Sequence, residues 1–512
     1  MTDKAPTGRT RLICPLTATD PATMRRDMLA AANAGADAVE LRLDYLNPSP
    51  TKQDIAALLA DAPIETIATC RPTAEGGRFT GSEPDRLAIL AGALRHGADW
   101  VDVEAAVPPQ YRPGPHGRVI LSRHDFKKCP ADLDALAARL DSSDAGVNKI
   151  AFAPAGPEDA LQTFDVLRQC SKPTLALAMG EAGVISRILA GKFGAFGTFA
   201  ALSAGAESAP GQPTIAELVD LYRVKQLMAD TEVYGVIGCP VGHSMSPAIH
   251  NAAFAAAGMD ACYVPLLIQP GEDDFKRFMD ALLARPWLNW RGLSVTIPHK
   301  EHALQYVGAD NCDPLAVRIG AVNTITIAPD GTLAGDNTDY AGAIDALVAG
   351  MGIKREGLAG RHAAVIGAGG VARAIVAALT HYGCDTIIYN RTVERAQQLA
   401  EEFDAAWAGL DKLDHLDAEI VINCTSVGMH PKIDNCPLTS IPPSVSAVFD
   451  TIYNPIETML IRKARAAGCA AITGLEMFVN QAVAQFERWT EKPAPREVMR
   501  DVVARKLRTR EG

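Results

Sequence analysis

Ala363-Ala364-Val365-Ile366-Gly367-Ala368-Gly369-Gly370-Val371-Ala372-Arg373 reads as a short buried strand, a glycine turn and the opening of a helix that runs on through Ala, Val and Ile to Leu379. Gly367, Gly369 and Ala372 keep the G-x-G-x-x-G/A spacing in the strand–turn–helix context which that spacing requires. Residues without side chains let a pyrophosphate reach the free N–H groups of a helix N-terminus. The stretch predicts a dinucleotide-binding fold with Gly367, Ala368, Gly369, Gly370 and Val371 at the cofactor; an ordinary glycine turn is the alternative.

The next strand, Thr386-Ile387-Ile388-Tyr389, ends at Asn390-Arg391-Thr392. A site for NAD carries a carboxylate at that strand end for the ribose 2′-OH, whereas an arginine there accommodates a 2′-phosphate. Asn390, Arg391 and Thr392 therefore point to NADP(H), with Arg391 as a solvated loop charge the alternative. The motif begins only at Gly367 of 512 residues, and length alone suggests about three or four domains.

Hydrophobic residues make up 48% and charged residues 21%, the balance of a globular protein in water. Sixty acidic against 49 basic residues give a net charge of −11, which argues against non-specific binding to nucleic acid or anionic membrane. A small anionic substrate stays open, because a site has its own local field. The 11 cysteines are scattered without a C-x-x-C pair, so neither metal nor disulfide framework is expected and the compartment reads as reducing and cytoplasmic. Met1–Arg11 is short, polar and lacks an apolar core, unlike a signal peptide. No apolar run is long enough to span a membrane.

Upstream, apolar runs near 12–16, 38–42, 66–70, 100–104, 119–122, 149–153, 174–179 and 195–199 alternate with helical stretches such as 22–34, 84–96, 131–140 and 158–170. A further helix is expected over Ile215–Met228, running directly into a strand at Val233. Eight strand–helix repeats match a (β/α)8 TIM barrel, whose chemistry sits at the C-terminal ends of its strands. The connection Ala105–Gly117, rich in Pro and Gly, is poorly helical.

Those strand ends carry Glu40 and Arg42, Arg71 and Glu75, Ser122-Arg-His124-Asp125, Arg187, and Ser208 with Gln212, and strand six opens with Lys149. A lysine within an apolar strand is costly unless it is paired or loses its charge. A neutral amine can attack a carbonyl to form a Schiff base; a lysine that snorkels to the rim or pairs with Glu40 is the alternative. His124 fits a general acid/base or a loop histidine without a role.

Val39-Glu-Leu-Arg-Leu-Asp44, Cys70-Arg-Pro-Thr-Ala-Glu-Gly-Gly77, His124-Asp-Phe126, Lys149-Ile150, Gly183-Val-Ile-Ser-Arg187 and Ser208-Ala-Pro-Gly-Gln212 together closely resemble type I 3-dehydroquinate dehydratase. The resemblance covers the whole barrel. It implies that Lys149 forms an imine with the substrate C3 carbonyl, that His124 shuttles the proton, and that Glu75 assists it. Glu40, Arg42, Arg71, Arg187, Ser208 and Gln212 would then hold the substrate's hydroxyls and carboxylate.

Beyond a short, constrained boundary near Asp230, one α/β unit is expected to about residue 340 and the nucleotide unit over 341–474. Helices within 475–512 follow and are expected to complete the first of these. Ser246-Pro247 alone would be a helix N-cap followed by proline. Polar loops at Leu293–Lys300, Ala321–Thr324 and Gly335–Asp339 are ordinary turn sequences, yet their repetition beside a nucleotide fold hints at a polyol site.

With Gly242-His-Ser-Met-Ser-Pro247, Asn423-Cys-Thr-Ser-Val-Gly-Met429, Asp450-Thr-Ile-Tyr453 and Gly474-Leu-Glu-Met-Phe-Val-Asn-Gln481, these loops resemble shikimate dehydrogenase. The resemblance implies a Rossmann NADP domain and a catalytic pair, Lys300 and Asp339. Ser244, Ser246, Thr296, Asn323, Tyr453 and Gln481 would bind shikimate, and Thr451 and Gly474 would lie near the nicotinamide. Ser294 stands where many bacterial members carry Asn, which bears on one substrate hydrogen bond. The order of the halves, dehydratase 1–229, then substrate domain 230–340 and NADP domain 341–474, resembles the plant fusion enzymes, without a transit peptide. It implies consecutive conversion of 3-dehydroquinate to 3-dehydroshikimate and then to shikimate. Two alternatives are a regulator that binds quinate-like ligands without turnover, in which Lys149 or Lys300 should be lacking, and an NAD-linked quinate dehydrogenase, which Arg391 argues against. A charge-assisted hydrogen bond is worth about 1.5–3 kcal/mol. Arg391→Ala should therefore weaken NADPH binding about tenfold or more and spare NADH; equal losses in titrations with both cofactors would remove the 2′-phosphate role.

Overall fold

The computed structural model describes residues 10–511 and, of these, every side chain but those of 414 and 508–511. Most of the stretch read for a signal peptide lies outside the described residues. The chain divides into two compact units: the described residues up to Ser244 with Asp260–Trp290, and Met245–Met259 with Arg291 onward.

The first unit contains eight parallel strands: β1 (Arg11–Leu16), β2 (Ala38–Arg42), β3 (Glu65–Thr69), β4 (Trp100–Glu104), β5 (Val119–Asp125), β6 (Val147–Phe152), β7 (Thr174–Ala178) and β8 (Gly197–Phe199). They hydrogen-bond in the order β7-β6-β5-β4-β3-β2-β1-β8. Phe196 N–H donates to Thr174 O, drawing β7 towards the start of β8, so the sheet curls nearly shut into the expected barrel. Alternation along the strands fills its interior in layers. Ile13, Ala38, Ile67, Ile120, Val147 and Leu175 form an apolar floor with Trp100 packed against it. Two residues further along, the same faces carry Glu40, Thr69, Asp102, Ser122 and Lys149, all buried.

The predicted helix over Ile215–Met228 is a correction. Only a short helical segment forms, with a π-type turn at Glu217–Leu221, followed by a 3-10 turn at Val224–Gln226. Arg223 between them is left-handed at φ +51°, which breaks the helix. Its guanidinium donates to Ala261 O and Lys225 bonds Gly35 O and Asp37. Tertiary bonds thus outweigh the local pattern.

The first unit extends past the barrel through the parallel pair β9 (Glu232–Gly238) and β10 (Ala261–Leu267) and the helix Glu272–Leu283. Arg285 forms a forked pair with Asp165 at 2.7 Å. Arg168 lies over Trp287 at 4.3 Å, and Trp287 meets Phe193 edge-on at 5.4 Å. Lys192, buried, donates to Ala229 O and Thr231 O. Residues on both sides of Asp230 therefore share one packed body.

In the second unit β11 (Trp290–Val295, from Arg291 on), β12 (Thr324–Ile327) and β13 (Leu333–Asp336) pair antiparallel. Six parallel strands follow: β14 (His362–Ile366), β15 (Asp385–Asn390), β16 (Ala406–Gly409), β17 (Ile420–Asn423), β18 (Ala447–Asp450) and β19 (Ala470–Thr473). Their order, β16-β15-β14-β17-β18-β19, is the doubly wound Rossmann order, with its switch point between β14 and β17. Helix Gly474–Thr490 packs on Thr338–Met351, and helix Arg496–Glu511 packs on Ser246–Ala256. Ser246 is the first residue of its helix rather than the cap; Met245 holds the cap position. Among the described residues no helix is long and apolar enough to cross a membrane.

A partly exposed forked ion pair is worth about 1 kcal/mol. Arg285→Ala should lower the stability of the barrel transition by about that much in denaturant titrations, and an unchanged midpoint would show that the pair contributes nothing.

Candidate active sites

The polar layers inside the barrel are one connected charge array. Lys149 Nζ lies 2.7 Å from Asp102 and 3.4 Å from Glu40, with the Phe199 ring 4.7 Å away. Arg71 bonds Asp102 at 2.9 Å and Glu104 at 2.7 Å and donates to Ser122 Oγ. Arg86, fully buried on the helix Glu83–Arg95, reaches the other oxygen of Glu104 at 2.6 Å. Thr69 donates to Glu40 at 2.8 Å. The structure therefore brings Glu40, Arg71 and Lys149 together. It adds Asp102, Glu104 and Arg86, which the sequence reading did not single out, and ties Ser122 to Arg71 and Asp102.

His124, at the end of β5, places Nδ1 3.2 Å from Glu75. Glu75 closes a tight turn; Gly76 behind it is left-handed at φ +76°, and a Cβ on Gly77 would meet Arg71 O at 2.0 Å. The Phe126 ring covers Gly76 and stacks on His124 at 5.9 Å, which fixes the imidazole against that turn. Burial, with Arg71 and Lys149 nearby, pushes the His124 imidazolium well below the usual histidine range, so the ring is a neutral base. Burial also pushes the Glu75 carboxyl up to about 7.

Arg42 is clamped by Asp44 through two bonds of 2.9 and 2.7 Å. Asp44 also accepts the Arg78 amide, tying the strand-three loop to strand two. Arg187, only 3% exposed, has no ion pair, and its Nε has no hydrogen-bond partner among the described residues. Burial alone pushes it down to about 10. An unpaired buried guanidinium is costly unless a ligand supplies the anion. Ser208 donates to Gln212 within the loop that follows β8, and residues 207–212 line an open cavity of about 430 Å³.

In the second unit, Lys300 Nζ and Asp339 Oδ2 are 2.5 Å apart, with side chains 29% and 21% exposed. Lys300 opens a helix, and Asp339 lies in the first turn of Thr338–Met351, whose Asn337 cap accepts its amide. Asn323 is buried and its carboxamide oxygen accepts the Thr338 amide at 2.7 Å, leaving its NH2 to donate elsewhere. Thr296 lies in the turn before Lys300 and accepts the His299 amide through its carbonyl. Tyr453 is 38% exposed and stacks on Phe478 at 5.0 Å. Gln481 donates to Phe478 O. Ser246 belongs to this unit and Ser244 to the other; Ser294 is buried on β11.

At the Rossmann switch point Gly367 is left-handed at φ +114°, and a Cβ on it would lie 3.1 Å from Cys424 O. Gly369 and Gly370 face open space, and the helix Gly370–His381 has no side-chain cap. A pyrophosphate fits this cradle, with Ala368 and Val371 on either side of the helix start. Asn390 donates to Thr392 O, and Arg391 and Thr392 are exposed at the end of β15. Arg395, one turn further on and also exposed, was not legible as part of this end. Thr451 donates to Asn423 O, while Gly474 approaches so closely that a Cβ would meet Thr451 O at 2.4 Å. No group of three metal-ligating side chains occurs among the described residues.

Two separate sites thus stand on one chain: a buried lysine–histidine site in a barrel, and a lysine–aspartate site beside a dinucleotide fold. Residues 12–229 match the family of type I 3-dehydroquinases. Residues 236–325 match the shikimate dehydrogenase substrate binding domain, 352–442 shikimate / quinate 5-dehydrogenase, and 474–504 the shikimate 5′-dehydrogenase C-terminal domain. The chloroplastic bifunctional 3-dehydroquinate dehydratase/shikimate dehydrogenase of Arabidopsis thaliana is 38% identical, over 96% of this chain and 84% of that protein. The NADP(+) shikimate dehydrogenase of Methanosarcina mazei is 42% identical over 54% of this chain and 99% of its own length. The Thermus thermophilus shikimate 5-dehydrogenase solved with NADP(H) and shikimate is 35% identical, covering 54% of this chain and 99% of that one with a TM-score of 0.46. The chain belongs to the bifunctional 3-dehydroquinate dehydratase/shikimate dehydrogenase family.

The His124–Glu75 contact fixes a sign for pH dependence. Ionised Glu75 accepts Nδ1–H and leaves Nε2 as the free base; protonated Glu75 donates to Nδ1 and moves the ring proton to Nε2. The dehydratase kcat/KM should therefore fall on the acid side with a midpoint at about 7. Glu75→Gln should erase that limb and lower the rate about tenfold or more. A profile flat through neutrality would separate Glu75 from the reaction.

Proposed function

We propose that the barrel dehydrates 3-dehydroquinate to 3-dehydroshikimate at Lys149, and that the second half reduces 3-dehydroshikimate to shikimate with NADPH. The observation that carries the first step is Lys149 buried between two carboxylates, with a neutral histidine on the adjacent strand. Lys149 condenses with the C3 carbonyl, and the protonated imine draws electrons from the adjacent carbon. His124 takes the proton from that carbon and returns it to the departing hydroxyl, with Glu75 holding the ring. Arg187, lacking an anion of its own, receives the substrate carboxylate; Glu40, Arg42, Arg71, Ser208 and Gln212 hold its hydroxyls.

In the second half, Lys300 and Asp339 are the proton-transfer pair. When bound, NADPH supplies a hydride to the carbonyl carbon. Lys300 donates a proton to the oxygen as charge develops there, and Asp339 orients the ammonium and keeps it charged. Ser246, Thr296, Asn323, Tyr453 and Gln481 bind the ring hydroxyls and carboxylate, with Thr451 and Gly474 beside the nicotinamide. The substrate-binding part spans about 230–340 with the C-terminal helices, and 341–474 holds the cofactor. Scattered free cysteines support a cytoplasmic location, although the Arabidopsis relative is described as chloroplastic.

An assay supplying 3-dehydroquinate and NADPH should show NADPH loss without any added enzyme, and no loss would overturn the reading. Lys300→Ala should cut the dehydrogenase kcat by about 10²–10⁴ with little change in KM, and leave the dehydratase rate intact. A raised KM at constant kcat would make Lys300 a binding group only.

A further inference from the structure

Asp102 has no role in the chemistry set out so far, yet it makes the shortest contact to Lys149. It lies on β4, 1% exposed, and all its bonds come from three interior donors. Oδ2 faces Lys149 Nζ at 2.7 Å and an Arg71 nitrogen at 2.9 Å, and Oδ1 accepts Ser122 Oγ–H at 2.6 Å. The charged and titratable groups facing this centre from neighbouring strands and loops are Glu40, Arg42, Arg71, Glu104 and His124. Glu40 is the more distant carboxylate and is shared with Thr69.

The geometry points to Asp102 as the fixed counter-ion of the imine nitrogen, a catalytic group of the dehydratase that stays ionised throughout the cycle. This inference rests on the reading of Lys149 as the imine lysine. Condensation of the ammonium with the carbonyl forms C=N–H⁺ and releases water. Transfer of the neighbouring C–H proton to His124 sends the electron pair to nitrogen and gives a neutral enamine. The enamine then expels hydroxyl, which takes the proton back from His124, and the iminium reforms for hydrolysis by water.

Only the protonated imine is an effective electron sink, and in a buried site it stays protonated only beside an anion. Burial pushes Asp102 up, but Arg71 and Lys149 outweigh it and hold the carboxyl far below its usual range, so it does not take the nitrogen's proton. Arg71 has a second use. When the nitrogen becomes neutral in the enamine, the carboxylate keeps one cationic partner, and no uncompensated charge is left in the interior.

The test is the pH profile of dehydratase kcat in the full chain. Removing a touching opposite charge lowers the pKa of a cation by about one unit or more. Asp102→Asn should therefore move the alkaline limb of kcat down by about one pH unit or more, while Asp102→Glu, which keeps the charge, should leave the limb in place. A limb that stays fixed in Asp102→Asn while only the height falls overturns the proposal, because a packing role scales the rate without moving the profile. Should the Asn chain fail to fold, Arg71→Gln carries the test with the opposite sign. Lys149 then becomes the only cation on Asp102, and the limb should move up; no movement or a downward one overturns the proposal. Lys149→Met separates the two readings. Dehydratase turnover surviving in it sinks the imine itself, whereas lost turnover beside an unmoved Asp102→Asn limb sinks only the counter-ion.

Discussion

Arg71 is the pivot of the barrel site. One buried guanidinium bonds Asp102, Glu104 and Ser122 at once, and through them it fixes Lys149 and Arg86. Each buried ion costs several kcal/mol in lost hydration, and such a layer is tolerated only when every member is matched. The strand register supplies that matching. Thr69 pairs with Asp102, Glu104 with Ser122, and Ser122 with Lys149 across adjacent strands, so residues of one parity share the inward face from β3 to β6. Arg187 is the exception, a buried cation without an anion among the described residues.

The proposed dehydrogenase site is built on another principle. Lys300 and Asp339 remain partly exposed, and precision comes from backbone anchoring rather than burial. Asn337 and Asn323 between them hold the first amides of the Asp339 helix. Gly342 lets helix Gly474–Thr490 approach to where a Cβ would lie 2.8 Å from the Gln481 amide, and Gly474 does the same at Thr451. Side-chain-free positions thus set the distances at which polar groups can meet a ligand.

Much of this was legible because the interior follows the period of two. Ala38-Val-Glu40-Leu-Arg42 shows it, and Trp100-Val-Asp102-Val-Glu104 shows it equally. The same alternation marks Asp102, but a carboxylate in mid-strand has no sequence signal that separates it from a structural charge. Arg86 gave no comparable signal: it projects from a helix of ordinary composition, and only the fold brings it under Glu104. The failed helix near 215–228 has the right composition, but the pattern cannot show that Arg223 and Lys225 find carbonyls elsewhere. The short, constrained boundary at Asp230 was legible, but the packing that joins its two sides was not, since Asp165 and Arg285 are 120 residues apart.

The claim on which the account turns is that Lys149 becomes covalently bound to the substrate. Borohydride added to the full chain together with 3-dehydroquinate, followed by peptide mass mapping, tests it directly. The account predicts a stable ligand adduct on the peptide containing Lys149 and on no other. An adduct at a different lysine, or none while turnover proceeds, would contradict it.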